Sequence, residues 1–231
     1  MFDLPERYVV NQSLDLKNFI KEIDKRPDKT RFKENVQSVQ LMWQIIGEDV
    51  PSFVNEDYRC NVIMGLDVKL KKVKSATFFS ELLQHLIKEP CVMRFYDDKE
   101  EVYSFAHKRL SHTDETQVVI LQRIETPPTS VVFADKTTDK LRQHLSFDAL
   151  LNKRNKLSLY LEAIVKAFII VHPKLYSGIE DQLDRKLWYN EDDVLVLFER
   201  LLNLQRLNVE LKAEKLPGEK AKLNSEIKKR I

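Results

Sequence analysis

The apolar and polar positions of the chain change period several times, and each change marks an element. Residues 14–26, LDLKNFIKEIDKR, place Leu16, Phe19, Ile20 and Ile23 on one helical stripe, which predicts a helix that Pro27 stops. Residues 35–47 then alternate Val39, Leu41, Trp43 and Ile45 against Gln40, Met42 and Gln44, a half-buried strand closing at Gly47. After a loop through Pro51 and Asn55, residues 58–72 predict a second strand, with Cys60, Val62, Met64, Leu66, Val68 and Leu70 on one face. Residues 76–88 return to helical spacing through Phe78, Phe79, Leu82, Leu83 and Leu86, and Pro90 blocks continuation. Three β runs follow at 91–97, 101–109 and 116–124, the first two spaced as a hairpin. Helix, two strands, helix and three strands with hairpin connections imply an α+β fold, a mixed or mostly antiparallel sheet with helices on one face.

The stretch 126–140, TPPTSVVFADKTTDK, is a seam of turn formers with room for one edge strand at 131–133. Beyond it the pattern is helical. Residues 156–171 are apolar on most sides, as in a helix packed on two neighbours, and 179–189 predict a shorter helix. A long helix starts after Asn190 as N-cap, with Glu191, Asp192 and Asp193 in its first turn, where the helix dipole favours acids. Val194, Leu197, Leu201, Leu204, Asn208 and Leu211 step by three and four, a heptad seam of coiled-coil type with one polar position. An asparagine on a buried seam fixes register or partner number, so Asn208 is its most pointed residue; the alternative is that the seam has reached water there. Pro217-Gly218 breaks the tail, after which Leu223, Ile227 and Ile231 form a second stripe. The expected organisation is an α+β domain over 1–133, a helical region over 134–189, and over 190–231 a long helix, a Pro-Gly break and a short terminal helix, together a helical hairpin or coiled-coil arm.

With 231 residues, 43% of them hydrophobic, the chain can bury a sizeable core. A net charge of only +2 despite 32% charged residues excludes the strong overall field of a general nucleic-acid binder, so any electrostatic role is local. Cys60 and Cys91 lie in apolar runs with no metal-ligand spacing and read as small buried hydrophobes in a reducing compartment. The opening segment has no signal-peptide pattern, and no window approaches 18 uninterrupted apolar residues, so a cytoplasmic protein without a membrane span is expected. Four glycines and no Gly-rich phosphate loop argue against nucleotide-type cradles, and no cofactor is implied.

The most specific chemical pattern is Asp67-Val68-Lys69, a D-x-K on a strand, similar to the spacing by which nucleases of the PD-(D/E)xK type hold a divalent ion and a lysine. That chemistry needs a second carboxylate, because Mg²⁺ takes several oxygen ligands; Asp57 and Glu22 are the sequence's donors for it. Against it, Asp67 and Lys69 alternate with Leu66, Val68 and Leu70 as on any solvated strand face, and the helix order differs from the usual nuclease core. His107-Lys108-Arg109, with His112, forms a candidate cationic patch for a phosphate or a partner's acid, or simply a charged edge that discourages strand addition. The five histidines lack zinc spacing, so no metal site is expected. Aromatic residues near basic ones at 93–96 and 103–105 fall on both strand faces, which favours core packing over base stacking.

The opening MFDLPERYVVNQ, the segments FKENVQSVQLMWQI and DYRCNVIMGLDVKLKK, the block EPCVMRFYDDKEEVYSFAHKRLS and the ending ELKAEKLPGEKAKLNSEIKKRI together resemble the bacterial family called domain of unknown function 4391, over nearly the whole chain. The closing pattern is read at Leu211, Glu214, Lys215, Lys220, Leu223, Asn224, Ile227 and Lys228, and Pro217-Gly218 departs from it, pointing to a helical hairpin. The resemblance implies no catalytic signature. It implies an accessory role, since members are encoded beside helicases and DNA methyltransferases in restriction or phage-defence clusters. Three functional expectations follow. The first is a non-catalytic accessory protein docking on such a partner through the seam Val194, Leu197, Leu201, Leu204, Asn208, Leu211, Leu223 and Ile227. The second is a DNA or RNA contact through Lys220, Lys222, Lys228, Lys229 and Arg230. The third is a metal-dependent nuclease built on Asp67 and Lys69.

Overall fold

The computed structural model describes residues 3–114, 117–133 and 135–230; expectations resting on Met1, Phe2, Thr116 and Ile231 lie outside them. In chain order the main elements are β1 (Val9–Leu14), α1 (Leu16–Glu22), α2 (Arg26–Asn35), β2 (Val36–Ile45), β3 (Phe53–Val54), β4 (Arg59–Cys60), β5 (Ile63–Leu70), α3 (Ala76–Leu86), β6 (Cys91–Tyr96), β7 (Glu100–Leu110), β8 (Val118–Glu125), β9 (Thr129–Ser130), α4 (Lys136–His144), α5 (Lys156–Val171), α6 (Glu191–Ala213) and α7 (Pro217–Arg230). The fold is α+β. Its mixed sheet runs β1-β2-β5-β6-β7-β8, with β9 added beside β7, and every described pair is antiparallel except β5 with β6. That one parallel pair is joined by α3, because parallel neighbours need a crossover rather than a tight turn.

The helices of the first 133 residues lie on one sheet face. Ile23 and Phe32, on and beside α1 and α2, and Phe79 and Leu83 of α3 pack with Val39, Leu41, Leu66, Val68, Cys91, Met93 and Phe95 in one buried cluster. The opposite face is covered by the later helices: Val92, Tyr103, Phe105 and Ile124 join α5 and the inner residues of α6 in a second, larger cluster. Strand alternation supplies the two faces, since neighbouring side chains on β6 and β7 go to opposite sides. Helix α5 is buried from Lys156 to Ile170, all round as its pattern predicts. Its polar residues are individually matched. Lys156 donates to the carbonyls of Gly47 (2.9 Å) and Val50 (2.6 Å), while Glu162 pairs with Lys166 (2.6 Å) and accepts from the Leu151 and Asn152 amides.

Several local expectations are corrected. Leu14 ends an edge strand rather than starting the first helix, α1 already ends at Glu22, and Pro27 sits in the first turn of α2, where its missing N–H is no loss, so it opens a helix rather than stopping one. The predicted strand over 58–72 breaks: Cys60 pairs with Phe53 in a separate ribbon, and β5 starts at Ile63. On β5 the faces alternate strictly, Ile63 toward the second cluster and Met64, Leu66, Val68 and Leu70 toward the first; the phase changes on β2 instead, where Val39 and Leu41 face the first cluster but Trp43 and Ile45 the second, across a register shift between Leu41 and Trp43. Residues 131–133 are not a strand; the edge pair is Thr129–Ser130. The segment 179–189 forms two 3₁₀ turns, Ile179–Asp184 and Lys186–Tyr189, separated by extended Arg185.

Helix α6 begins as expected, the Asn190 side chain accepting from the Asp192 amide, and ends at Ala213. Pro217 then starts α7, which folds back on α6 as a helical hairpin. No helix among the described residues is long and apolar enough to cross a membrane.

Candidate functional site

A cavity of about 600 Å³ opens on the face of the sheet that also carries α4 and α5. Its floor is the polar side of β5, β6 and β7, and its mouth is bordered by residues 130–133 and the start of α4. Asp67 sits on β5 opposite Gln40 on one side and Arg94 on the other, so two adjacent parallel strands bring these side chains together. Arg94 donates from Nη1 to Asp67 Oδ2 (2.9 Å) and from Nε to Glu101 Oε2 (2.6 Å), while its guanidinium lies 4.6 Å from the Tyr96 ring centroid. The Tyr103 hydroxyl donates to the other Glu101 oxygen at 3.3 Å. The result is a carboxylate, guanidinium, carboxylate row, with Glu101 the most buried member.

Burial governs the proton affinities here. It pushes the Asp67 carboxyl above the usual carboxylate range, and Arg94 offsets only part of that effect. For Arg94 burial works against the charge, yet Asp67 and Glu101 outweigh it and hold the guanidinium protonated. Tyr103 is driven well up by burial and then by the Glu101 charge, so its hydroxyl remains a donor. Gly65 lines the same cavity for a steric reason: the Trp43 indole lies where a Cβ would be, 1.9 Å from Cε2, and only glycine permits that approach.

Of the nuclease residues, Asp67 and Lys69 share this face, but Lys69 Nζ turns to Asp98 (3.1 Å), an acid of the β6–β7 hairpin. Asp57 pairs instead with His112 at 2.8 Å, and Glu22 is exposed on α1, on the other side of the sheet. The second carboxylate is Glu101, which sequence spacing missed because β7 reaches Asp67 only through the register of β6. A divalent ion nevertheless does not fit these residues. Both oxygens facing the gap are taken by Arg94, the Asp135 carboxylate accepts from the Thr137 amide, and no group of three His, Cys, Asp or Glu among the described residues is arranged to hold a metal.

The residues His107, Lys108 and Arg109 do not make one cationic surface. Strand alternation sends His107 to Tyr58 Oη (3.0 Å) and the Phe198 ring, where burial depresses its pKa to about 4 and keeps it neutral. Lys108 goes to the other side, its ammonium donating to the carbonyls of Ile87 (2.8 Å) and Glu89 (2.9 Å) just past the end of α3, and Arg109 donates to its neighbour's carbonyl. On the arm, Val194, Leu197, Leu201, Leu204 and Ile227 are buried within the chain's own core, with Leu211 and Leu223 half-buried against it. Asn208 donates to the Leu204 carbonyl one turn back, an intrahelical bond that specifies no partner. The seam is therefore spent internally, not offered outward. Lys220, Lys222, Lys228, Lys229 and Arg230 are exposed on α7.

These features define an α+β protein with a polar cavity on a mixed sheet and a closed helical arm. The family model for the domain of unknown function DUF4391 matches residues 2–230, essentially the whole chain, and the chain belongs to that family. No curated protein and no solved structure matches it.

Proposed function

We propose that this chain is a non-catalytic accessory protein that docks on a nucleic-acid enzyme, a helicase or DNA methyltransferase, in a restriction or phage-defence setting. The observation that carries the proposal is Arg94, whose guanidinium stands between the two carboxylates of the D-x-K face and supplies the positive charge that a catalytic cation would have brought. In this arrangement Asp67 and Glu101 are tied to Arg94 rather than open toward a cation. Val132 and Phe133, 73% and 77% exposed at the mouth of the cavity, are the apolar contact for the partner. The earlier seam is not, being buried. The family's gene neighbourhood supplies the kind of partner.

The test is co-expression of the tagged chain with each neighbouring helicase and methyltransferase, followed by affinity capture in gentle salt. Stable recovery of one of them, lost in Phe133→Asp with the fold intact by circular dichroism, supports the reading. Recovery of the chain alone from every pairing sinks it. In parallel, supercoiled plasmid with Mg²⁺ or Mn²⁺ should remain uncut, and nicking that disappears in Asp67→Asn would replace the reading with the nuclease.

A further inference from the structure

Charge on the α6–α7 hairpin is unevenly compensated. From residue 201 onward there are eight basic side chains (Arg206, Lys212, Lys215, Lys220, Lys222, Lys228, Lys229, Arg230) and four acids (Glu210, Glu214, Glu219, Glu226), so this part of the hairpin is +4, whereas its first ten residues, with Glu191, Asp192, Asp193 and Glu199 against Arg200, are −3. All four acids are occupied. Glu210 pairs with Arg206, Glu219 with Lys222 and Glu226 with Arg230, while Glu214 accepts from the amides of Lys215 and Leu216 at the start of α7. The side chains of Lys212, Lys215, Lys220, Lys228 and Lys229 are left exposed, with no direct ion pair or side-chain hydrogen bond among the described residues, although the Lys220 charge is felt by Glu214.

These five lysines are held on a rigid support, because Leu223 and Ile227 pin α7 to the core and Arg200 donates to the Arg230 carbonyl at its end. Lys212, Lys215 and Lys220 gather at the turn of the hairpin and Lys228 and Lys229 at the far end of α7, whose 14 residues extend about 21 Å. We infer that this hairpin binds the phosphate backbone of duplex DNA, a function beyond the docking role proposed above. Fixed cations suit a rigid double row of phosphates. A flexible single strand would call for stacking aromatic residues, and α7 has none. Insertion into an anionic membrane needs an outward apolar stripe, whereas that of α7 is turned to the core.

The experiment is fluorescence anisotropy of a labelled 20-base-pair DNA duplex with the full chain, at salt from 50 to 200 mM. If all five lysines meet phosphates, the log-log slope approaches about −4.5, a loss of roughly 500-fold across that range. A variant with Lys212, Lys215, Lys220, Lys228 and Lys229 all changed to Gln should bring the magnitude of the slope below about 1 and abolish saturable binding at 100 mM salt. Changing the same number of exposed lysines elsewhere, Lys17, Lys21, Lys25, Lys71 and Lys72, to Gln should leave the wild-type curve. Equal weakening by both variants, an unchanged curve in the arm variant, or no salt-dependent duplex binding overturns the inference. So does tighter binding of a duplex RNA or a single strand, or sedimentation with phosphatidylglycerol vesicles in place of duplex binding.

Discussion

Replacing Arg94 by methionine keeps most of the side chain's length and removes its charge, so it isolates what the guanidinium does between Asp67 and Glu101. All three side chains are less than a third exposed: 30% for Arg94, 17% for Asp67 and 5% for Glu101. Removing one partner of a buried ion pair costs roughly 3–5 kcal/mol, because the other charges are left desolvated, and the partial exposure of Arg94 places this case near 3 kcal/mol. The loss depends on pH. With Arg94 gone, burial is unopposed and the Asp67 carboxyl, already above its usual range, moves further up. A carboxyl whose folded pKa exceeds its unfolded value binds more protons in the folded state between the two, so stability falls as pH rises through that window. Urea unfolding followed by tryptophan fluorescence at pH 5 and pH 8 should therefore show the larger deficit at pH 8. Adding Asp67→Asn and Glu101→Gln to Arg94→Met removes the stranded charges and should recover most of the stability. A deficit below about 1 kcal/mol at pH 8, or one of the same size at both pH values, would refute the buried-row account.

Gly65→Ala places a methyl group inside the Trp43 indole, and the overpacking should cost about 1–3 kcal/mol and shift tryptophan emission; Trp43→Ala should relieve most of it. Leu201→Ala opens a hole in a fully buried position and should destabilise the isolated chain by roughly 2–5 kcal/mol, whereas a seam reserved for a partner would make it nearly neutral. His107 is neutral in the fold, with a pKa of about 4, and titrates near 6.5 when unfolded, so the unfolded state takes up the proton first. Stability should thus fall as pH drops from about 6.5 to about 4, by up to about 3 kcal/mol, and His107→Gln should lack this component of the pH profile.

The class of fold, most strand and helix positions, the Asn190 cap and the hairpin at Pro217 are legible in the sequence, because each is set by interactions within a few residues. Periodicity fixes which side of a strand or helix is apolar, Pro and Gly mark where the backbone cannot continue, and an asparagine before a helix finds its own amide. The alternation of the D-x-K strand shows that Asp67 and Lys69 share one side of β5, but not that this side is covered rather than solvated at Asp67, which is only 17% exposed. What periodicity leaves open is the neighbour. Val194 to Leu204 reads as a seam whoever fills it, and only the packing of α5 and α7 against it showed that the chain fills it itself. Phase also failed where register shifts occur, at Leu41 to Trp43, since a bulge changes which side chains share a face without changing the residues. The candidate site depended on the same missing information. Asp67, Arg94 and Glu101 are separated by 27 and 7 positions and meet only because β5, β6 and β7 are adjacent in one register. Sequence alone determined that a carboxylate and a lysine would stand on a polar strand face; tertiary structure decided that a guanidinium, not an open gap, faces that carboxylate.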